Sequence, residues 1–298
     1  MALQQQIKHT NIAPLLSIGI FSLLSLLYAP VLLHWLDGWL HKTISIEHEY
    51  FSHGLIGLPF AAYLSWQNRK QWQRLPDKNH TLGLVLLVIG GIFYLSGVTE
   101  WVNLSFPTIL AALCLWFKGI PGFRLQWFSL LLVFLATPTA IPYLIAPYTF
   151  PLQSFIAGTA GFILNQSGME VVVDGINIYV AGRIVEVAPY CAGLKMLFTT
   201  IYVSLMLLYW KGVLSSRQTT IWFLSIAILI SVVANIIRNT LLSYFHGTGN
   251  EAAFTWLHDS WGGDLYSALM LLSLVPLLNW MNQYFSVPLD TIEEADIS

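Results

Sequence analysis

Apolar stretches of about 17–25 residues recur along this chain, from Ile12 to about residue 285, and each is long enough to cross about 30 Å of hydrocarbon as a helix. Within lipid every backbone N–H and C=O must find its partner inside the segment, so a chain built from such stretches folds as membrane helices. Only 9% of the 298 residues are charged and 56% are hydrophobic, whereas an ordinary soluble domain is about 25% charged. That leaves no surface for a sizeable soluble core. The expectation is an all-α polytopic membrane protein, with a single membrane domain over residues 1–288 and an acidic, disordered tail over 289–298. The first stretch is too long for a signal-peptide core and is followed by further spans, so it counts as a span itself. The net charge of −2 offers no basic patch for nucleic acid. Two cysteines provide no disulfide framework.

Eight spans are expected, over about 12–34, 51–67, 81–98, 101–117, 125–145, 191–210, 219–245 and 263–285. Lys and Arg gather in loops that stay in the cytoplasm. Arg69, Lys70, Arg74 and Lys78 fall between the second and third spans, Lys118 and Arg124 between the fourth and fifth, and Lys211 and Arg217 between the sixth and seventh. All three loops lie inside if both termini do. This holds only if the apolar stretch 147–168 does not cross, so it reads as re-entrant or interfacial. Pro142, Pro147 and Pro151 fit that reading, and a ninth span is the alternative. From Val171 to Val180 the pattern becomes β-branched around Asp174-Gly175, a short hairpin on the outer face.

Ionisable groups in or beside spans are costly and therefore candidates for function. That filter leaves His53, Glu186, Cys191, Lys195, Arg238 and His258, with Asp259 and Asp264 nearby. Cys191 opens the sixth span at the outer boundary. A free cysteine is often only a small buried hydrophobe, but a helix N-terminus also favours a thiolate. Cys114, within the fourth span, reads as core packing, and its depth makes a disulfide to Cys191 unlikely on geometry. Arg238 lies about 27 Å up the seventh span from Thr220, again at the outer end. It could be a snorkelling arginine, yet Asn235, nearly one turn before it, and Asn239, next to it, suit a polar pocket better. His258 sits in the short outer connection before the last span. His53 begins the second span and could orient a partner or contact substrate. A thiol needs a base and a tetrahedral intermediate needs a positive or hydrogen-bonding group. Cys191, His258 and Arg238 come independently to one face and supply these needs.

Other signals lead nowhere. His48-Glu49 with His53 has one residue too many for a zinc-protease helix. There is no Gly-x-Ser-x-Gly elbow, no P-loop and no dinucleotide fingerprint, and no metal or organic cofactor is required. Two rivals remain: a transporter in which Arg238 binds an anionic substrate, and an assembly subunit without chemistry. A transporter predicts polar groups near the midplane and an internal repeat, and the sequence displays neither.

In order along the chain, these residues resemble the exosortase and archaeosortase family. Tyr50, Phe51, Ser52, His53 and Gly54 with Arg69 match its early block, and Pro151, Leu152, Gln153, Gly168 and Gly175 its middle block. Cys191-Ala192-Gly193 matches a nucleophile block usually written Cys-Ser-Gly, with Ala192 in place of the serine. The stretch from Ala188 to Lys195 is similar to a cyanobacterial branch. The resemblance implies a cysteine peptidase-transpeptidase of the bacterial inner membrane, its site facing the periplasm and both termini cytoplasmic. Cys191, Arg238 and His258 would be catalytic; His53, Glu186, Asn235 and Asn239 would bind substrate or support them. The implied partners are exported proteins with a C-terminal Pro-Glu-Pro-like motif, a transmembrane helix and a basic tail.

Overall fold

A computed structural model of the chain describes residues 12–40, 50–187 and 193–285. Cys191 and the acidic tail 289–298 lie outside the described residues. The helices are α1 (Ile12–Leu40), α2 (Gly54–Gln67), α3 (Arg69–Arg74), α4 (Thr81–Leu95), α5 (Thr99–Ala136), α6 (Ile141–Ile145), α7 (Phe150–Gln166), α8 (Leu194–Trp210), α9 (Arg217–Gly247), α10 (Glu251–His258) and α11 (Trp261–Phe285). Four candidate spans meet the length and apolarity of a membrane crossing: Ser22–Leu40, Thr99–Ala136, Arg217–Gly247 and Trp261–Gln283. Thr81–Leu95 and Leu194–Trp210 are shorter apolar helices. The protein is thus a mostly helical membrane protein.

The 38 residues of α5 would run about 57 Å if straight, nearly twice the hydrocarbon thickness. They do not run straight. Gly119 leaves helical geometry at φ 61°, ψ −156°, followed by Pro121. Asn103 donates from Nδ2 to the Pro138 carbonyl at 3.1 Å, a contact impossible across one straight helix. A Cβ on Gly122 would stand 3.1 Å from the Cys114 carbonyl. The legs 99–118 and 120–136 are therefore antiparallel and meet at Gly119. The stretch expected as 125–145 ends at Ala136 instead. Pro138 and Pro142 follow, and the chain re-forms only as α6 and a 3-10 turn, Ala146–Thr149.

This reversal separates two ends. At one, the buried Lys118 ammonium donates to the Leu75 carbonyl at 2.7 Å and to Asp77 Oδ1 at 2.6 Å. Asn68 donates to the Leu125 carbonyl at 3.1 Å, and Tyr209 stacks on Phe128 at 3.9 Å. The three basic loops thus share one end. At the other, Trp35 Nε1 donates to Asn103 Oδ1 at 2.8 Å, and Leu194 packs on Tyr50 and Phe51. The 17 residues of α8 separate the ends by about 25 Å.

α2 and α8 meet closely. A Cβ on Gly57 would overlap the phenol of Tyr202. That ring cannot move cheaply: its hydroxyl donates to the Leu132 carbonyl at 3.0 Å and its face lies 4.4 Å from the His53 ring. Gly57→Ala is expected to cost about 1–3 kcal/mol by overpacking, read as a lower unfolding temperature in detergent, with Gly91→Ala, where a Cβ meets nothing, as the silent control. Equal temperatures for the two variants would remove this account of the interface.

The expected hairpin is a three-stranded antiparallel sheet: β1 (Val171–Asp174), β2 (Asn177–Val180) and β3 (Arg183–Glu186) in order β1-β2-β3. Asp174 pairs with Asn177, leaving Gly175-Ile176 as the loop, with Gly175 at φ 60°, the type II′ pattern. The second loop, Ala181-Gly182, has both φ positive, 50° and 76°, which is type I′. An alanine in the left-handed region is a weak sequence signal, and so β3 escapes a sequence reading. The sheet and α9 bury one face of α7: Ala157, Ala160 and Leu164 join Val171, Ile178, Val180 and Ile236 in one core. On the opposite face Phe155 and Phe162 stay 57% and 63% exposed.

Candidate active site

α9 is 31 residues long, about 46 Å, and so runs past the bundle to reach the sheet, where Gly247 lies against Val180. Where it leaves the bundle it carries Asn235, Arg238 and Asn239. Asn239 donates from Nδ2 to the Asn235 carbonyl at 2.9 Å and to its Oδ1 at 3.3 Å. That leaves Asn235 Nδ2, on a residue 1% exposed, without a hydrogen-bond partner among the described residues. Arg238 Nε, one turn on, is also buried without one. Leaving such donors unmet costs about 1–3 kcal/mol each. They are groups ready for an acceptor.

The remaining wall comes from α10, α11 and β3. Asn250 caps α10, accepting from Ala253 N at 3.2 Å. The chain turns sharply after Asp259 into α11. A Cβ on Gly263 would meet the Leu257 carbonyl at 2.7 Å and Arg238 Nη2 at 3.3 Å, so the guanidinium lies against the corner that carries His258. Tyr266 ties α11 to α9 by donating to the Ala234 carbonyl at 2.6 Å. His258 is the last residue of α10, a short helix within the connection before α11. Its ring stacks on Phe254 with centroids 5.2 Å apart, and its Nδ1 lies 2.6 Å from Asp259 Oδ1. Glu186 stands on β3, not on the hairpin proper. Ile184, Glu186, Asn239, Leu242, Phe254 and His258 surround one cavity of about 140 Å³. An ion pair between Arg183 and Glu251 ties β3 to α10 beside it.

Three sequence candidates, Glu186, Asn239 and His258, thus line one cavity, while the Arg238 guanidinium lies against the neighbouring Gly263 corner and Asn235 is one turn below Asn239. His53 does not join them. It is buried beside Tyr202, with Nε2 3.0 Å from the Leu135 carbonyl, and pins α2 to the second leg of α5. Cys191 lies outside the described residues. The chain resumes at Gly193, with φ 80°, where a Cβ would come 2.7 Å from Asn235 Cγ, so only glycine lets the backbone rest on that amide. Asp259 was noted in the sequence only as a neighbour of His258. The His-Asp pair itself is the signal, since a carboxylate on one ring nitrogen sets the tautomer and orientation of the imidazole. Cys114 is half-buried on the first leg of α5, at the basic end. Among the described residues no group of three or more His, Cys, Asp or Glu could hold a metal ion.

The family model described as transmembrane exosortase matches residues 35–275, most of the chain. Neither a curated protein nor a solved structure matches it.

Proposed function

The chain belongs to the transmembrane exosortase family, a membrane-embedded enzyme family that processes C-terminal sorting signals of exported proteins, and from that premise we propose a cysteine peptidase-transpeptidase whose nucleophile is Cys191. Its thiolate attacks the scissile carbonyl carbon. His258 takes the thiol proton and returns it to the leaving amine as the C–N bond breaks. The unmet donors of Arg238 and Asn235 receive the charge that develops on the carbonyl oxygen. The product is a thioester on Cys191, resolved by an amine acceptor, which makes a new amide, or by water. Asp259 holds His258 Nδ1 and so orients the ring that carries the proton. Glu186 orients His258 or binds substrate.

One observation carries the reading: two buried donors on α9, unpaired among the described residues, stand beside the corner bearing an oriented His-Asp pair, and Gly193 rests on the first of them. The shared basic end supports a topology. Eight crossings put Arg69, Lys118 and Lys211 in the cytoplasm with both termini, in a bacterial inner membrane, and the site in the periplasm. α7 is then re-entrant, its exposed phenylalanines in lipid. The single membrane domain covers 1–288, followed by the acidic tail. The substrate's Pro-Glu-Pro-like motif meets the site while its transmembrane helix and basic tail lie alongside.

The test is to trap the intermediate. With a signal-bearing substrate co-expressed, acid quenching should leave an adduct on the peptide containing Cys191, and hydroxylamine should remove it. An adduct on another residue, or processing without any hydroxylamine-labile adduct, would refute the thioester route.

A further inference from the structure

A second and larger cavity, about 750 Å³, opens at the basic end, about 25 Å of helix away from the candidate active site. Tyr63 and Gln67 of α2, Gln71 of α3, Trp127 of α5, and Tyr209 and Trp210 of α8 line it. Beside it Trp66 and Trp210 are about 60% and 59% exposed, the girdle of amphipathic rings found where acyl chains meet headgroups. Aromatic rings alone would suit a cation, but the charges decide otherwise. Arg69 and Lys70 separate the lining residues Asn68 and Gln71, Lys211 separates Trp210 and Gly212, and all three cations are exposed. Among the described residues no carboxylate lines the cavity. The only acid in the described parts of these loops, Asp77, is engaged by Lys118. A cationic ligand would be repelled; an anion with an apolar body would satisfy cations, amides and rings together.

We propose that this cavity seats the headgroup of an anionic phospholipid from the cytoplasmic leaflet. The phosphate lies among Arg69, Lys70, Lys211 and the amides of Gln67 and Gln71, and the acyl chains run down the exposed faces of Trp66 and Trp210. The site would brace α2, α5 and α8 at the end opposite the chemistry. Charge complementarity selects the occupant, since basic pockets between membrane helices on that side suit anionic headgroups.

The test uses the full chain in neutral detergent, with phosphatidylglycerol or phosphatidylcholine added at equal mole fraction. Unfolding temperature and lipid retained in native mass spectra are the readouts. Phosphatidylglycerol should raise the unfolding temperature by several degrees and leave one bound lipid; phosphatidylcholine should do neither. The double variant Lys70→Gln/Lys211→Gln should bind phosphatidylglycerol about 10- to 30-fold more weakly, with its unfolding temperature in phosphatidylcholine unchanged. Ser215→Trp, which fills the cavity, should block retention as well. Equal effects of the two lipids, retention unaffected in both variants, or the same stabilisation by glycerol phosphate without acyl chains would each overturn the proposal. So would a fall in unfolding temperature without anionic lipid on deleting 289–298 that the lysine double variant does not show, since the acidic tail would then be the occupant.

Discussion

Cys191→Ala is expected to abolish conversion of a co-expressed signal-bearing substrate, lowering the rate by about 10⁴-fold or more, because without the nucleophile no acyl-enzyme can form. Cys191→Ser should keep little activity, since a hydroxyl is far harder to deprotonate than a thiol and the His258–Asp259 pair is built around one ring nitrogen. Cys114→Ala should be silent for processing: that thiol sits on the first leg of α5, near the Gly119 reversal and the basic loops. The readout is the length of the substrate on a blot, alongside the enzyme's own unfolding temperature. Cys191→Ala should unfold with wild type, because a small side chain replaces a small one. A transporter or an assembly subunit predicts the opposite pattern, with the Cys191 variant as active as the Cys114 variant, and that result would end the catalytic reading.

Much of the helical framework is legible in the sequence because it rests on the two strongest signals a membrane chain carries, apolar length and the sidedness of Lys and Arg. The shared end of the 69–78, 118–124 and 211–217 loops follows from them, and the contacts of Lys118, Asn68 and Tyr209 bear it out in three dimensions. Boundaries are less legible. The second leg of α5 stops at Ala136 because prolines follow while the residues stay apolar, and hydropathy does not register a backbone constraint. β3 hides behind Ala181, a turn residue whose chemistry does not announce a turn. At the candidate site, residue types were readable and contacts were not. His53 has as good a sequence argument as Glu186, yet its Nε2 lies at the Leu135 carbonyl, while Glu186 shares a cavity with His258. Only the path of β3 and the corner at Gly263 separate the two.

Arg238 tests whether the site is held for chemistry or for stability, because the two accounts predict opposite signs. Its Nε is buried and unpaired among the described residues, a cost of about 1–3 kcal/mol that a purely structural arginine would not carry. Arg238→Met keeps much of the side-chain volume and removes the unmet donor. It should leave the unfolding temperature unchanged or raise it, as replacement of imperfectly paired buried charges by apolar groups often does. Processing should fall about 10²- to 10³-fold, the usual loss when one oxyanion donor is removed. Arg238→Lys separates charge from geometry. An ammonium restores the charge but not the planar fork of N–H groups, so most of the loss should persist. Gly263→Ala, whose Cβ would press on Nη2 from 3.3 Å, should reproduce part of it without touching the arginine's identity. If instead Arg238→Met unfolds early while its residual folded fraction processes substrate at the normal rate, the guanidinium is a structural tie between α9 and the α11 corner, and the oxyanion must be stabilised by other donors.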